Sequence, residues 1–269
     1  MAEPTFDRAA FTRTLTTRRL GRQLIARAEA GSTNDVAWDA LAEGMADGAV
    51  VVADVQTRGR GRAGRTWHLA PGRGLALSVA LHPGCDLRRF GTLPLAAGLA
   101  LAGALESLGA RVRLKWPNDL LIGTRKVSGI LCESRRRAGA GDAVVIGIGV
   151  NVSQRADDFP DGLAATATSL ALEGVTTTRE AVAAAFLNAL EPLWRSHSEE
   201  DGGDVVERWS RRADFWGQPV SVHTPSGELT GVARALDPDG GLVITLASGI
   251  ETTVLAGDLE LGAPGAKRR

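Results

Sequence analysis

The sequence predicts a mixed α+β domain followed by a small all-β domain. Continuous β-branched runs such as "GAVVVADVQT" (48–57) alternate with helical patterns up to about residue 215. From Gly217 onward, short strand signals are separated by Pro-Ser-Gly, Asp-Pro-Asp-Gly-Gly and Ser-Gly turns. Four to five strands in about 45 residues indicate a barrel of the SH3 type.

The first part of the chain supplies helices and two buried strands to this prediction. Spaced apolar positions over residues 1–22 predict an N-terminal helix, and "STNDVAWDALAEG" predicts a helix running from a polar cap to about Glu43. Strands are expected at 48–57 and in "GLALSVALH". The run "LPLAAGLALAGAL" (93–105) is too short to span a bilayer, so it predicts a buried helix that continues to about 109.

The second part adds a hairpin, two longer strands and two helices. "RVRLKWPNDLLIG" predicts two short strands joined by a turn at Pro117 and Asn118. "RKVSGILCESRRR" and "AVVIGIGVNVS" predict strands joined by "AGAGD", and helices are expected at 178–197 and 202–214. We expect an N-terminal helical segment, a main domain, the SH3-like domain and a tail, at residues 1–29, 30–215, 216–263 and 264–269.

Composition limits the classes of function. Basic and acidic residues balance at 31 each, so net charge gives no argument for nucleic acid or membrane binding, and any anion site is local. Cys85 and Cys132 are too few for a disulfide framework and form no metal-binding pair. The N-terminus lacks the apolar run of a signal peptide, so a cytoplasmic location is expected. Arginine dominates the basic residues, and the three lysines (115, 126 and 267) indicate places where a compact ammonium was required.

The stretch "QTRGRGRAGRTWHLAPGRG" (56–74) holds five arginines and five glycines without an acid. Its Gly-x-Gly-x-x-Gly pattern is not a dinucleotide or P-loop site, because the residues after Gly64 are broken by Pro71 and glycines instead of opening a helix. Two interpretations stay open, a solvated basic loop or a loop that is disordered when empty and closes on a polyanion. An RNA-binding tract is disfavoured because only one aromatic residue, Trp67, lies nearby.

Five motifs together resemble the biotin protein ligases. "GSTND", "QTRGRGRAGRTW", "KWPND", "KVSGIL" and "GIGVNV" occur in the order and approximate spacing of that family, from about residue 30 to the C-terminal barrel. Each motif alone is weak; for example, Lys115 in "KWPND" could simply be an ion-paired lysine. The resemblance implies a catalytic domain akin to class II aminoacyl-tRNA synthetases, followed by an SH3-like domain.

The resemblance also implies a two-step reaction with biotin and ATP as substrates. The biotin carboxylate attacks the α-phosphorus, giving biotinyl-5′-AMP and pyrophosphate, and a lysine of a biotin carboxyl-carrier domain then attacks the activated carbonyl and releases AMP. Bringing two anions together requires positioning and charge neutralisation and no enzyme nucleophile. This agrees with the lack of any Ser/His/Asp or Cys/His arrangement in the sequence.

The family's site residues carry over onto matching positions. Lys115 matches the residue that contacts the biotinyl carboxylate and the α-phosphate, and Arg62 and Arg65 match the closing loop. The other residues expected to bind ligand are Ser32, Thr33, Asn34, Gln56, Gly59, Arg60, Gly61, Gly64, Trp67, Asn118, Lys126, Gly129, Ile130 and Asn151. The implied contacts are the ureido ring for Ser32, Thr33 and Gln56, the nucleotide for Trp67 and Asn151, the phosphates for Asn118 and Lys126, and backbone lining for Gly129 and Ile130.

Cofactors and partners follow from the same resemblance. Magnesium is expected to enter with ATP on phosphate oxygens, because no Asp/Glu cluster marks a protein metal site. The expected partners are carrier domains of biotin-dependent carboxylases, with no nucleic acid and no membrane. Too few residues precede "GSTND" for the winged-helix domain of some members, which predicts a monofunctional ligase. The oligomeric state stays open between a monomer and a weak dimer.

Two rival functions and three departures from the family pattern accompany this prediction. A lipoate or octanoyl ligase or transferase shares the catalytic fold, and a nucleic-acid-binding scaffold would use the C-terminal barrel as its functional part. The departures are Ala63, at a loop position that is frequently basic, and Ser128 and Cys132, which replace more usual apolar residues. Cys132 is interpreted as a small buried hydrophobe.

Overall fold

The computed structural model describes residues 3–82, 87–137, 141–199 and 204–262 and contains two β-sheets. Cys85, the first three residues of the expected "AGAGD" turn (138–140) and the tail at 264–269 with Lys267 lie outside the described residues. The larger sheet forms the main domain, and the smaller sheet forms the C-terminal domain. This arrangement confirms the predicted mixed α+β domain followed by a small antiparallel β domain.

The main sheet has seven strands in the order β1-β2-β3-β7-β6-β5-β4. The strands are β1 (Leu24–Ala30), β2 (Val50–Gln56), β3 (Gly74–Leu81), β4 (Arg113–Lys115), β5 (Asp119–Ile122), β6 (Arg125–Arg137) and β7 (Gly141–Asn151). Only the β1–β2 pair is parallel; the other pairs are antiparallel. The "KWPND" turn therefore joins β4 to β5, and Lys115 and Asp119 are paired opposite each other in the register of these strands.

Five helices of the described residues pack on the two faces of this sheet. They are α1 (Arg8–Thr14), α2 (Thr33–Ala42), α3 (Leu93–Ser107), α4 (Arg179–Glu199) and α5 (Asp204–Arg212). α3 and α4 cover one face, where Leu77 and Ile146 lie in the large core. α2 packs its Trp38 and Leu41 on the opposite face. Since α2 covers only part of that second face, its remaining area is available to form a site.

Helix α3 lies in the core. By length and composition alone, residues Phe90–Ser107 could cross a membrane. The shorter run at 93–105, on which the prediction was based, is too short to do so. However, 67% of the Phe90–Ser107 window is buried inside the protein. Its Leu101 and Leu105 are fully buried among the residues of the large core. The expected burial of this helix is thus confirmed.

The C-terminal domain is a five-stranded antiparallel sheet in the order β11-β10-β9-β8-β12. Its strands are β8 (Pro219–Thr224), β9 (Gly227–Leu236), β10 (Leu242–Leu246), β11 (Glu251–Val254) and β12 (Asp258–Leu261). It is joined to the main domain by a buried hydrogen bond, in which Trp116 Nε1 donates to the Gly240 carbonyl over 3.0 Å. Apolar residues of both domains belong to one continuous core, so the two sheets share their packing.

The N-terminal segment differs from its prediction. The helix ends at Thr14 and does not continue to residue 22. Beyond it, the Glu191 carboxylate accepts hydrogen bonds from the backbone N–H groups of Arg18, Arg19 and Leu20, and this contact favours a non-helical path. The sequence analysis also missed β1, which begins the main sheet at Leu24, before the expected domain boundary near residue 30.

Candidate functional site

A cavity of about 880 Å³ lies between the open part of the sheet face, the arginine-rich loop and the C-terminal domain. Nearly every residue that the motifs singled out lines it, although the residues come from separate parts of the chain. The lining residues predicted from sequence are Ser32, Thr33, Asn34, Gln56, Arg60, Gly61, Arg62, Arg65, Trp67, Lys115, Asn118, Lys126, Gly129, Ile130 and Asn151. Gly59 and Gly64 belong to the same loop but do not line the cavity.

Two glycines of β7 form the floor of the cavity. A Cβ atom on Gly149 would lie 2.3 Å from Cε2 of Trp67, and a Cβ atom on Gly147 would lie 2.3 Å from Oδ1 of Asn34. Both distances are far below contact, so any side chain at these positions would displace its neighbour. The Trp67 indole lies against this floor, and its Nε1 is buried without a hydrogen-bond partner among the described residues.

One end of the cavity presents neutral polar groups. β1 and β2 are parallel, so their carboxyl ends lie side by side and bring the start of α2 next to Gln56. Gln56 Oε1 accepts a hydrogen bond from the backbone N–H of Thr33 over 2.9 Å, and the Thr33 hydroxyl lies 3.2 Å from the same oxygen. Ser32 is buried at the N-terminus of α2, where its side chain makes no capping hydrogen bond. This end therefore offers donors and acceptors without a net charge.

The loop over the cavity, residues 58–67, is a short hairpin that we call the flap. The Gly59 carbonyl accepts from the Trp67 N–H over 2.9 Å, and the Gly61 N–H donates to the Arg65 carbonyl over 2.7 Å. At its tip, Ala63 adopts a left-handed conformation with φ of 52°. The prediction that the flap orders only on a ligand is not tested by this structure.

The flap is attached on both sides through two of its arginines. Arg60 forms a bidentate pair with Asp35 of α2, with both N–O distances at 2.8 Å, and its guanidinium lies 3.3 Å from the Glu133 carboxylate. The hydrogen bond from Arg60 lowers the pKa of Asp35, and Asp35 in turn raises the pKa of Arg60. Arg65 pairs with Asp258 of the C-terminal domain. The flap consequently bridges the two domains.

Two cations inside the cavity have no ion pair with any described residue. They are Arg62, at the flap tip, and Lys115, at the end of β4. Burial lowers the pKa of both groups, while Asp258 and Asp119 act in the opposite direction on Arg62, and Asp119 does so on Lys115. Burying a charge without a partner costs free energy, so this end of the cavity favours an anion.

Asp119 and Lys126 form an ion pair at the cationic end, with 2.6 Å between Asp119 Oδ1 and Lys126 Nζ. Lys126 Nζ also lies 5.7 Å from the Trp67 ring centroid, within cation–π range. The sequence analysis missed Asp119 as a site residue, although its place in the register opposite Lys115 was available from the "KWPND" hairpin. Asp119 partly neutralises Lys126 and leaves Lys115 unpaired.

The side-chain NH₂ groups of Asn118 and Asn151 both donate hydrogen bonds to backbone carbonyls. Asn118 Nδ2 donates to the Ile130 carbonyl over 2.6 Å, and Asn151 Nδ2 donates to the Thr168 carbonyl over 2.9 Å. Asn151 Oδ1 accepts from Gln154 Nε2 over 2.9 Å. Both asparagines line the cavity, so their contacts hold its walls in shape.

Other parts of the wall were missed by the sequence analysis. The segment after β7 contributes Phe159, Leu163, Thr166 and Ala167. The C-terminal domain contributes Ser221, Glu228, Glu260, Leu261 and Gly262. Neither group carries a motif, because a wall residue needs only a suitable size and position. These residues were detectable only from the tertiary arrangement.

The two departures on β6 have structural explanations. Ser128 is buried, and its hydroxyl donates to the Gly149 carbonyl over 2.6 Å, which ties β6 to β7 beneath the floor. Burial raises the pKa of the Cys132 thiol, which packs against the large core. A neutral thiol is a poor nucleophile, so Cys132 is not a candidate for covalent chemistry.

A protein metal site is not found in the described part of the chain. No group of three or more His, Cys, Asp or Glu side chains there is arranged to hold an ion. Asp119, the acid beside Lys115, is already paired with Lys126. A divalent cation at the cationic end would consequently take most of its oxygen ligands from a bound molecule.

Comparisons with known proteins identify relatives of both domains. Residues 28–151 match the biotin/lipoate A/B protein ligase family, and residues 215–262 match the biotin protein ligase C-terminal domain. The biotin–[acetyl-CoA-carboxylase] ligase of Mycobacterium tuberculosis is 36% identical over 250 residues, which cover 88% of each chain. The bifunctional ligase/repressor BirA of Bacillus spizizenii is 34% identical over 92% of this chain and 77% of its own length.

Solved structures agree with the sequence relatives. A biotin protein ligase from Aquifex aeolicus, in complex with biotin and ATP, superposes with a TM-score of 0.74 at 30% sequence identity. The match covers 90% of this chain and 99% of that chain, so it includes the main domain and the C-terminal domain.

Proposed function

Because this chain belongs to the biotin/lipoate A/B protein ligase family, and within it to the biotin protein ligases, we propose that its cavity holds biotin and ATP side by side. The chain is an ATP-dependent ligase that activates biotin as biotinyl-5′-AMP and transfers it to a lysine of a biotin carboxyl-carrier domain.

The distribution of charge along the cavity is the observation that supports the proposal. Neutral hydrogen-bonding groups line one end, whereas Arg62 and Lys115 place unpaired positive charge at the other. Biotin has the same division, since its ureido ring is neutral and its carboxylate is anionic. The triphosphate of ATP would share the cationic end with that carboxylate. The cavity thus suits two molecules that must meet through their anionic groups.

The ureido ring is assigned to Ser32, Thr33 and Gln56. Gln56 Oε1 is occupied by Thr33, which leaves the Nε2 group of Gln56 free to act as a donor to the ureido carbonyl. Ser32, buried without a capping bond, can donate or accept. A site built from such groups rejects analogues that cannot complete its hydrogen bonds.

Lys115 and Arg62 are assigned to the reacting groups. In the first step the biotin carboxylate oxygen bonds to the α-phosphorus while the bond to the pyrophosphate oxygen breaks. Two positive charges held in a half-buried cavity reduce the repulsion between carboxylate and phosphate and stabilise the charge that develops on the phosphoryl oxygens. Arg65 closes the same end from the flap.

The adenine is assigned to the space beside Trp67, in a cavity that Phe159 and Leu163 of the segment after β7 also line. An indole and apolar side chains suit a flat aromatic base. Lys126, which lies near both Trp67 and Asp119, is assigned to the phosphates. Magnesium is proposed to arrive on the phosphate oxygens of ATP and to reduce their charge there.

In the second step the amine of the acceptor lysine bonds to the activated carbonyl carbon, AMP departs and the amine proton is lost to solvent. The partners proposed are carrier domains of biotin-dependent carboxylases. Residues 30–215 are proposed to perform the chemistry, and residues 216–263 to complete the cavity wall. Neither nucleic acid nor a membrane has an assigned role, and a specific gel shift with DNA would contradict the monofunctional prediction.

One assay series tests the function. With biotin and ATP present, we expect pyrophosphate release that depends on biotin, followed by covalent labelling of an added biotin carboxyl-carrier domain. Lipoic and octanoic acids, each with ATP and a lipoyl domain, serve as the comparison. Labelling with lipoate in place of biotin would favour the lipoate ligase alternative, and ATP turnover that depends on none of these acids would exclude both.

A further inference from the structure

Glu133, on β6, connects α2 and the flap although it does not line the cavity. Its Oε2 accepts hydrogen bonds from Trp38 Nε1 over 2.9 Å and from Asn34 Nδ2 over 3.2 Å. Its Oε1 lies 3.3 Å from the guanidinium of Arg60. One carboxylate thus contacts the neutral end of the cavity through Asn34 and the cationic flap through Arg60.

The contact with Asn34 fixes the orientation of that amide. An ionised carboxylate only accepts hydrogen bonds, so Asn34 must turn its NH₂ group toward Glu133 and its Oδ1 toward Ser78. The Ser78 hydroxyl donates to Asn34 Oδ1 over 2.6 Å, and it also lies 2.7 Å from Thr33 Oγ1. Because a hydroxyl has one proton, commitment of the Ser78 proton to Asn34 makes the Thr33 hydroxyl the donor in its 2.7 Å contact with Ser78.

This chain of contacts ends at the groups that face the cavity. The Thr33 hydroxyl then offers its oxygen as an acceptor, while the Thr33 N–H holds Gln56 Oε1 and leaves Gln56 Nε2 as a donor. The close approach of Asn34 Oδ1 to Gly147 leaves the amide little room to flip. The charge of Glu133 therefore determines, through three neutral residues, which hydrogen-bond groups the cavity presents.

The second contact acts on the flap. Arg60 is held by Asp35, and Glu133 adds a second carboxylate to the same guanidinium. The Glu133 side chain is 28% exposed, so its attraction for Arg60 is only partly screened by solvent. Removal of this charge would leave the flap attached to α2 by Asp35 alone.

We propose that Glu133 is a positioning residue, whose carboxylate both orients the biotin-recognising network and holds the flap closed over the activated intermediate. This inference rests on the proposed function, since it assumes that the network faces biotin. It predicts that one substitution outside the cavity weakens biotin binding and also shortens retention of biotinyl-5′-AMP, two effects that a general loss of stability would not combine.

The test compares Glu133→Gln with the wild-type full-length chain. The introduced glutamine has one acceptor oxygen for three donors. We therefore expect the biotin Kd to rise about tenfold and the release of biotinyl-5′-AMP to become about tenfold faster. Each change corresponds to the loss of one charge-assisted hydrogen bond. The KM for ATP at saturating biotin should change less than twofold. Glu106→Gln, which removes an exposed carboxylate paired with Arg212 far from the cavity, is the matched control.

A swapped pair separates orientation from charge. When Glu133→Gln is combined with Asn34→Asp, the introduced glutamine can donate to the introduced aspartate, which still accepts from Ser78. Biotin affinity should therefore recover at least threefold relative to the single variant. Retention of the intermediate should not recover, because Arg60 still lacks the Glu133 charge. If Glu133→Gln does not fold, Glu133→Asp keeps the charge but withdraws it by one methylene and should shift both quantities in the same directions.

The outcomes are distinct. If the wild-type chain binds biotin and forms biotinyl-5′-AMP while Glu133→Gln changes neither Kd nor release by more than twofold, the role of Glu133 is refuted and the function stands. A variant with a lower melting temperature and a smaller active fraction but an unchanged biotin Kd also refutes this role, since that pattern reflects a loss of stability alone. If the wild-type chain neither binds nor activates biotin, the proposed function itself fails.

Discussion

Lys115 holds a positive charge in a half-buried position without an ion pair to any described residue. We expect Lys115→Ala to slow adenylate formation by about 10²–10³-fold, the loss typical of one preorganised group that stabilises developing charge. Single-turnover measurement of biotinyl-5′-AMP formation checks this, with Arg111→Ala, an exposed cation on the same segment, as the control. Adenylation near the wild-type rate in Lys115→Ala would remove Lys115 from the mechanism.

The same burial predicts a pH dependence. Burial lowers the pKa of Lys115 from the ordinary lysine value of about 10.4. The charged form is the active one, so kcat/KM for adenylation should fall as pH rises through this lowered pKa, earlier than an exposed lysine would allow. In Lys115→Arg the rate is lower but the alkaline fall should move to higher pH. An alkaline limb that is identical in both proteins would assign the titration to another group.

Gly149 tests the assignment of the nucleotide. In Gly149→Ala, the new methyl group would displace Trp67 from the floor, and we expect the KM for ATP to rise by about 5–150-fold, as for the loss of one base–aromatic stack of about 1–3 kcal/mol. Gly103→Ala on α3 is the control, since nothing lies within 4 Å of its added Cβ. That control should raise stability by about 0.5–1 kcal/mol and leave the KM unchanged.

Residue types in motifs were predictable, whereas their partners were not. The sequence singled out Lys115 and Gln56 because their motifs resemble those of the biotin protein ligases. It gave no sign that Asn118 is committed to the Ile130 carbonyl, or that Glu133 joins α2 to the flap. Hydrogen-bond partners depend on distances between segments far apart in sequence, and these are set only when the sheet forms.

At the scale of elements, the flap was predicted as a loop that closes over an anionic ligand. The two contacts that attach the flap to α2 and to the C-terminal domain were not predicted. Arg62 lies at its tip inside the cavity, and Arg62→Gly should quicken release of biotinyl-5′-AMP by about 10-fold or more, the loss of one hydrogen bond to a charged group at about 1.5–3 kcal/mol. The measurement is the release rate together with biotin labelling of bystander lysines.

A glycine also loosens the chain, so the flap needs its own control. Ala63→Gly places a glycine beside Arg62 where φ is already 52°, and it removes no charge. We expect near wild-type retention in this variant. Equal loss of retention in Ala63→Gly and Arg62→Gly would mean that backbone freedom, and not the Arg62 charge, governs release.

The other elements show what periodicity can and cannot predict. The strand at 50–56 was predicted because it is a continuous β-branched run, whereas the strand at 74–81 and the hairpin around Pro117 were predicted from apolar runs and turn residues. The N-terminal helix was predicted too long, since Leu15 and Leu20 are apolar and buried although contacts with Glu191 hold the chain there in a non-helical path. Spaced apolar residues are a weak guide to a helix when a distant side chain satisfies the backbone.

At the scale of the molecule, two domains enclose one cavity, and Arg65 joins them through Asp258. Asp258→Asn should raise the KM for ATP by roughly two- to fivefold at low salt, since exposed pairs contribute about 0.2–1 kcal/mol. The difference from wild type should shrink as salt is added. Glu251→Gln, an exposed acid on β11, should leave the KM unchanged. A similar effect in both variants would argue against a specific Arg65–Asp258 contact.

The sequence predicted both domains but not their common cavity. The five motifs singled out residues of the main domain that line the cavity, and the turn-rich C-terminal stretch predicted a separate barrel. Nothing in the stretch from 219 to 261 marks Glu228 or Glu260 as cavity residues. Their position follows from the shared core and the Trp116–Gly240 hydrogen bond, which are properties of the assembled chain.

The floor of bare backbone at Gly147 and Gly149 also has an evolutionary consequence. An inhibitor resting on these two positions would occupy space that no side chain can enter without displacing Asn34 or Trp67. Resistance by substitution directly beneath such a compound would therefore impair the enzyme that it protects. Escape variants should arise instead in the parts of the wall that carry no motif, where a residue needs only a suitable size and position.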